Sequence, residues 1–418
     1  MFEWLLLAPA AALVAGVAPI KRKMNDKTKI DHIFRNLGLG VNDSSKGGKP
    51  SFPAFYRKEE IGFKDKSNNF IKTGIKYVYR LPLGLPPKKI QLLQEGASVL
   101  SDGINKPVEL EFDGMLHINV YDKKLPTFVP FKELPQTHKW NVTLGKHYKG
   151  WIHHDFDKIP HMVVGGTTRF GKTVFMKDIL TQLILENPND VEFYIIDLKG
   201  GLEFSKFEHL RQVMWVAKNP AEASLLLKLI HDEMSGKFNE EGELVEEGLY
   251  QMFLKNNWSN IVDTPLKKRR FVIVDEGAQL AAEKWMKKDM KDLLGYCQYT
   301  LGEIARLGGA LGYRLIFGTQ YPTADILPRQ IKMNSDIKIS FRLGTGYASE
   351  VVLDEQGAEK LPTDIKGRAL VKTHELKEIQ VPYIDNKEMW ELLEVYDDSG
   401  IIEHREKETT PDEYLIDD

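Results

Sequence analysis

From about residue 141 onward the chain alternates short, wholly apolar runs with longer stretches of helical spacing. Residues 161–165, 191–197, 271–275, 315–319 and 337–343 are rich in β-branched and aromatic side chains, which predicts strands buried on both faces. Between them, residues 221–235 and 285–307 repeat their apolar positions every three or four residues, the spacing of helices. Strands alternating with helices predict an α/β fold with a mainly parallel sheet, spanning residues 141–384. In such sheets ligands sit at the C-terminal ends of the strands.

The front of the chain follows other rules. Residues 71–83 alternate like a strand, with Ile75, Tyr77, Tyr79 and Leu81 on one side. Residues 87–96 read as a helix with Pro87 in its first turn. Residues 108–112 and 116–121 read as a hairpin around Asp113-Gly114. Together they predict a small α+β domain over residues 52–140. Residues 21–51 read as a basic flexible linker, Gly/Ser/Lys-rich around Ser44 to Pro50. Residues 1–20 are apolar from Trp4 to Ile20 and end against Lys21-Arg22-Lys23. That pattern predicts a transmembrane or membrane-associated anchor, single-pass, with the body on the cytoplasmic face of the cell membrane.

Net charge is only -3, but it is unevenly spread. Residues 21–80 hold 15 Lys and Arg against 6 Asp and Glu, whereas residues 383–418 hold 3 against 13. A basic front and an acidic tail over residues 385–418 suit a polyanion-binding protein, and equally a solvated surface. The one cysteine, Cys297, allows no disulfide within the chain and no cysteine-based metal cluster. Its helical, apolar surroundings predict a buried structural thiol.

The chemistry begins at Gly166-Thr167-Thr168-Arg169-Phe170-Gly171-Lys172-Thr173, which leaves a predicted strand and enters a predicted helix through Val174. A G-x-x-x-x-G-K-T stretch in that setting predicts a phosphate-binding loop for ATP, with backbone N–H groups on phosphate oxygens. Lys172 is expected on the β- and γ-phosphates and the Thr173 hydroxyl on Mg2+. Roughly 100 residues later the strand Phe271-Val272-Ile273-Val274 ends in Asp275-Glu276. Asp275 is expected to hold Mg2+ through water, and Glu276 to polarise the attacking water. Leu315 to Thr319 is another buried strand, ending at Gln320, which is expected beside the γ-phosphate or as a loop cap. A cation reaching a neighbouring subunit's phosphate is harder to place, and Arg342 and Arg329 are the candidates.

These pieces, with Ile196-Asp197-Leu198-Lys199-Gly200-Gly201, the Ile304 to Gly312 stretch, Gly318-Thr319-Gln320-Tyr321-Pro322 and Leu353-Asp354-Glu355-Gln356-Gly357-Ala358, resemble the FtsK/SpoIIIE family of DNA-pumping ATPases over roughly residues 144–379. The Ile-Asp-Leu-Lys-Gly-Gly variant looks most like the membrane-bound relatives of conjugative elements in Gram-positive bacteria. The resemblance implies a RecA-like motor, a homohexameric ring on double-stranded DNA, and family roles for Lys172, Thr173, Asp275, Glu276 and Gln320. It implies DNA backbone contact from the stretch after Tyr321, with Arg329, Gln330 and Lys332 as phosphate partners and Lys199 as a weaker candidate for nucleotide or DNA. It points to a coupling protein for conjugative or mobile-element transfer, working with a relaxase or another DNA-processing protein. Chromosome or phage DNA segregation or packaging, and protein secretion of the type VII kind, are the alternatives. The sequence departs from its relatives at Arg169-Phe170, where they usually carry Gly-Ser, and at Glu350, where they often carry Arg.

Overall fold

The computed structural model describes residues 24–42, 48–65, 67–86, 88–89 and 97–398. The predicted anchor over residues 1–20, most of the predicted helix over 87–96 and the end of the acidic tail, 399–418, lie outside the described residues. The chain divides into two compact units, Met1–Lys124 and Leu125–Asp418.

The smaller unit sets two helices, α1 (Asp26–Asn36) and α2 (Ala97–Ile104), against a four-stranded antiparallel sheet. Its strands are β1 (Ala54–Lys64), β2 (Phe70–Arg80), β3 (Val108–Phe112) and β4 (Leu116–Tyr121), in the order β1-β2-β4-β3. The predicted hairpin is present as β3 and β4, turning at Gly114 with φ 90°. Helix α1 corrects the reading of residues 21–51 as a flexible linker. Asn25 caps it by accepting the Thr28 N–H, and Ile30 and Phe34, one turn apart, bury themselves in the core with Tyr79 and Leu100.

The larger unit is built on ten strands: β5 (Asn141–His147), β6 (Gly150–Asp155), β7 (Met162–Gly165), β8 (Val191–Ile196), β9 (Val213–Ala217), β10 (Arg269–Val274), β11 (Tyr313–Thr319), β12 (Ile337–Phe341), β13 (Arg368–Lys372) and β14 (Leu376–Gln380). They form one mixed sheet in the order β9-β8-β10-β11-β7-β12-β13-β14-β5-β6. The stretch from β9 to β12 is parallel, and every pairing from β12 to β6 is antiparallel. Helices cover both faces. Along β8 and β10 the side chains alternate between two cores: Phe193, Ile195, Phe271 and Ile273 on one side, Tyr194, Ile196, Val272 and Val274 on the other. The first core takes α3 (Lys172–Glu186), buried nearly all round, and the second takes α4 (Pro220–Ser235), α5 (Lys288–Glu303) and α6 (Gly346–Leu353). The predicted helix over 285–307 becomes α5 followed by a π-helical turn, Ile304–Gly308.

The stretch read as an acidic tail from residue 385 opens with another helix, α7 (Asn386–Leu393). Asp385 caps it by accepting the Lys387 and Glu388 N–H groups, and Met389 and Leu393 enter the first core. Register decides where chemistry is possible. Ile196 pairs with Val274, Val274 with Phe317, and Thr319 with Gly165. The residues that follow these strands, Asp197, Asp275, Gln320 and Gly166, therefore emerge side by side on one edge.

Candidate nucleotide site

The loop from Gly166 to Gly171 is pinned between neighbouring strand ends. The Gly166 N–H donates to the Thr319 carbonyl at 3.1 Å, and both the N–H and the hydroxyl of Thr167 donate to the Arg342 carbonyl at 3.0 Å. Gly166 has φ 156°, and a Cβ there would lie 2.7 Å from the Phe341 Cβ, so only glycine fits. Gly171 begins α3 with no side-chain cap, which leaves the first-turn N–H groups of Lys172 and Thr173 open toward the loop. Arg169 is exposed, with φ 71°, a strain that a glycine would not carry. Phe170 turns inward against the first core and its carbonyl accepts the Gly367 N–H at 3.0 Å, so its bulk does not fill the loop.

Lys172 is buried. Its ammonium donates to Asp275 Oδ1 at 2.9 Å and also to the Asp275 backbone carbonyl. The path between strands exists because residue 318 is glycine: a Cβ there would sit 3.2 Å from Lys172 Nζ and 2.7 Å from the Asp275 carbonyl oxygen. Thr173 Oγ1 donates to the same Asp275 Oδ1 at 3.2 Å. Lys199 donates to Asp275 Oδ2 at 3.3 Å and stands 4.0 Å from Glu276 Oε2. Burial opposes ionisation of Asp275, but the ammonium groups of Lys172 and Lys199 outweigh it and hold the carboxyl below its ordinary range. Thr173 Oγ1 and the Asp275 carboxylate form an all-oxygen pair suited to a divalent cation such as Mg2+, which takes few protein ligands and completes its shell with water and phosphate. Among the described residues no group of three or more His, Cys, Asp or Glu is placed to hold a metal by itself.

Glu276 is fixed by three donors: the Thr319 hydroxyl at 3.1 Å, the Gln320 N–H at 3.0 Å and the Ala278 N–H at 3.3 Å. Gln320 is buried beside it. Loop, lysine, both carboxylates and Gln320 are thus brought to one edge, and Val174 lines an adjoining cavity of about 190 Å³ with Lys177, Glu203 and Tyr383. Sequence reasoning placed Gly318, Thr319 and Asp197 in its motif stretches but gave them no role. Asp197 is fully buried, and its carboxylate accepts the N–H groups of Lys199, Glu203 and Phe204. The signal was available: like Asp275, it is an acid that ends an apolar strand.

The residues expected to touch DNA lie elsewhere. Arg329 and Gln330 are exposed on a short helix, Arg329–Met333. Lys332 is half-buried, 2.7 Å from Asp354 Oδ1 and donating to the Glu350 carbonyl at 3.1 Å. Arg342 donates to the Leu361 carbonyl, beside the loop of its own chain. Glu350, at the position where relatives often carry Arg, accepts from Gln356 at 2.7 Å.

Residues 135–242 match the FtsK/SpoIIIE family. The chain is 29% identical over 312 residues to the DNA translocase FtsK of Streptococcus pneumoniae (strain ATCC BAA-255 / R6), covering 68% of this chain and 38% of that relative. It is 26% identical over 388 residues to the DNA translocase FtsK of Lactococcus lactis subsp. cremoris (strain MG1363), covering 84% of this chain and 45% of that relative. The chain therefore spans less than half the length of these relatives. Among solved structures, the pCW3 conjugation coupling protein TcpA, in a monomer form with ATPgS, superposes with a TM-score of 0.58 at 24% identity, over 88% of this chain and 99% of that one. EssC (ATPases 2 and 3) from Geobacillus thermodenitrificans superposes with a TM-score of 0.52 at 16% identity, over 68% of this chain and 53% of that one. At these identities the superpositions speak for the fold, a P-loop ATPase fold of the FtsK type. Taken with the ordered motifs on one sheet edge, the matches show a segment similar to the FtsK/SpoIIIE family, set in a fold of the FtsK type.

Proposed function

We propose that the larger unit is a RecA-like ATPase that moves double-stranded DNA. The protein works as a homohexameric ring at the cytoplasmic face of the cell membrane, as a coupling protein for conjugative or mobile-element transfer that receives DNA from a relaxase or similar partner. The observation that carries this reading is the convergence of Lys172, Thr173, Asp275 and Glu276 below an open helix N-terminus. In that arrangement the backbone from Gly166 to Val174 cradles the phosphates, and Lys172 leaves Asp275 for the β- and γ-oxygens. Thr173 and Asp275 would hold Mg2+, which would neutralise phosphate charge, Glu276 would draw the proton from the attacking water, and Gln320 would lie against the γ-phosphate. The exposed Arg329 and Gln330 grip backbone phosphates without reading bases. Transfer is favoured over segregation or packaging by the Ile-Asp-Leu-Lys-Gly-Gly loop and by a fold that parallels TcpA through nearly the whole of that chain.

The test is ATP hydrolysis by the full chain with and without duplex DNA. Strong stimulation is expected, and Lys172→Ala should lower the rate roughly 100-fold or more, as loss of a preorganised charge on a transition state does. Hydrolysis that no nucleic acid stimulates would overturn the DNA reading and favour a protein-secretion ATPase, whose fold the EssC superposition also accommodates. A neighbouring relaxase gene separates transfer from segregation.

A further inference from the structure

Asp275 and Glu276 sit between two ammonium groups that differ in freedom. The side chains of Lys172, Asp275 and Glu276 are 3%, 1% and 4% exposed, whereas that of Lys199 is 29% exposed. The main chain beneath Lys199 is nonetheless fixed. Asp197 gathers three backbone N–H groups from residues 199, 203 and 204, and Glu203 is tied to Lys177 of α3 at 2.8 Å. Gly200 and Gly201, both with φ near +74°, make the tight turn that this knot requires. A rigid stem therefore carries a swinging ammonium, whose reach covers both carboxylates.

Charge explains why it should swing. Two lysines against two carboxylates balance the charge of the cluster. A divalent cation held by Asp275 would compete with both ammonium groups for that carboxylate. Lys172 then has the loop's phosphates to pair with, and Lys199 needs a new anion. It lies 3.3 Å from Asp275 and 4.0 Å from Glu276, and the anion that a triphosphate adds to a diphosphate is its terminal phosphate. No other cation contacts either carboxylate among the described residues, and Arg342, the other guanidinium beside the loop, is engaged by the Leu361 carbonyl.

We infer that Lys199 distinguishes nucleoside triphosphate from diphosphate. It pairs with Asp275 and Glu276, and its ammonium would turn to the terminal phosphate of a bound triphosphate. This rests on the nucleotide reading of the same site. The roles of Lys172 and Lys199 are separable: the first serves both nucleotides, the second only the triphosphate.

Binding of Mg2+–ATPγS and Mg2+–ADP to the full chain, measured by calorimetry without turnover, tests the inference. Lys199→Met should weaken ATPγS about tenfold or more, the size of one charge-assisted hydrogen bond, and leave ADP within about threefold. Lys199→Arg should restore most of the preference. Asp197→Ala, which keeps the lysine but unties its stem, should lose the same preference while the chain still binds ADP. Equal losses for the two nucleotides would reduce Lys199 to a structural counterion, and no loss for either would make it a bystander; both overturn the inference. If the unaltered chain binds neither nucleotide, the nucleotide reading itself has failed.

Discussion

At the N-terminal edge of the parallel strands, Asp157 accepts from Arg269 at 2.8 Å and from Arg314 at 2.8 Å. The remaining donors go to carbonyls of the connecting turns, Leu266, Lys267 and Lys268 for Arg269, Gly309 and Tyr313 for Arg314, except Arg314 Nε, which is buried without a partner. At the C-terminal edge of the same strands, Asp275 is held by Lys172 and Lys199. Both clusters pair one aspartate with two cations, at opposite ends of β10. They differ in the cation. Arginine is a rigid fork that, once its donors are matched, has nothing left to give, whereas lysine is a point charge on a flexible stem that exchanges one anion for another at low cost. The first edge locks the sheet; the second is poised to let go.

The contrast is sharpest when one residue is removed from each end. Asp157→Ala strands two buried arginines, and breaking a buried pair in this way costs about 3–5 kcal/mol. Denaturant unfolding should show that loss, with nucleotide affinity preserved in whatever fraction remains folded. Lys172→Ala should do the reverse, losing hydrolysis while the unfolding midpoint barely moves, because Lys199 still faces Asp275. If both variants lost stability equally, the two edges would be the same device.

The locked edge also carries buried histidines. Burial, with the positive charge of Arg314, pushes His161 down to about 3, and burial pushes His154 down to about 4. His161 is held neutral in a specific role, its Nδ1 accepting the Leu315 N–H at 2.9 Å. A folded pKa below the unfolded value means that the unfolded chain binds more protons between the two. Stability is therefore full above about pH 6.5 and falls as pH drops toward 4, by up to ~1.4 kcal/mol per pH unit for each histidine. Asp157 acts lower: its arginine partners overcome its burial and depress its pKa, so its contribution is lost only as pH falls below the ordinary carboxylate range. Urea midpoints measured from pH 7.5 to 4 should decline from near neutrality, and His161→Asn, which keeps an acceptor, should flatten the decline. A flat profile down to pH 4 would mean that this edge is open to water.

The functional edge was legible in sequence because its chemistry lies where apolar runs stop. Gly166 to Thr173, Asp275-Glu276 and Gln320 each end a strand that periodicity alone places. What escaped has a physical cause. Strand β1 is exposed along most of its length, so it shows no alternation of burial to read. Helix α1 buries Ile30 and Phe34 in a core, with Ile33 partly buried against it, too little to stand out from polar surroundings. The antiparallel half, β5, β6, β13 and β14, is not specified by strand–helix alternation, since its strands are joined without crossover helices. Phe170 turned into the first core and Gly318 beneath Lys172 depend on which way a side chain points between strands, which spacing does not encode.

The expected DNA loop offers a last, smaller test of what a lysine in an ion pair will do. Arg329 is exposed, whereas Lys332 is engaged by Asp354, which Lys338 also binds at 2.8 Å. Arg329→Ala should weaken duplex binding a few-fold, equally for all sequences, and should reduce the slope of log affinity against log salt by about 1. Lys332 separates two possibilities. If its pair with Asp354 is fixed, like those of Asp157, Lys332→Ala leaves the slope unchanged and costs only surface stability, about 1 kcal/mol or less. If it exchanges as Lys199 is inferred to do, the slope falls by about 1 again. The geometry favours the fixed pair: Lys332 also donates to the Glu350 carbonyl, within α6, and Val352 of that helix packs under the loop at Gly165. Moving Lys332 would disturb the helix that supports the phosphate loop, whereas moving Lys199 releases its carboxylates and leaves its backbone in place.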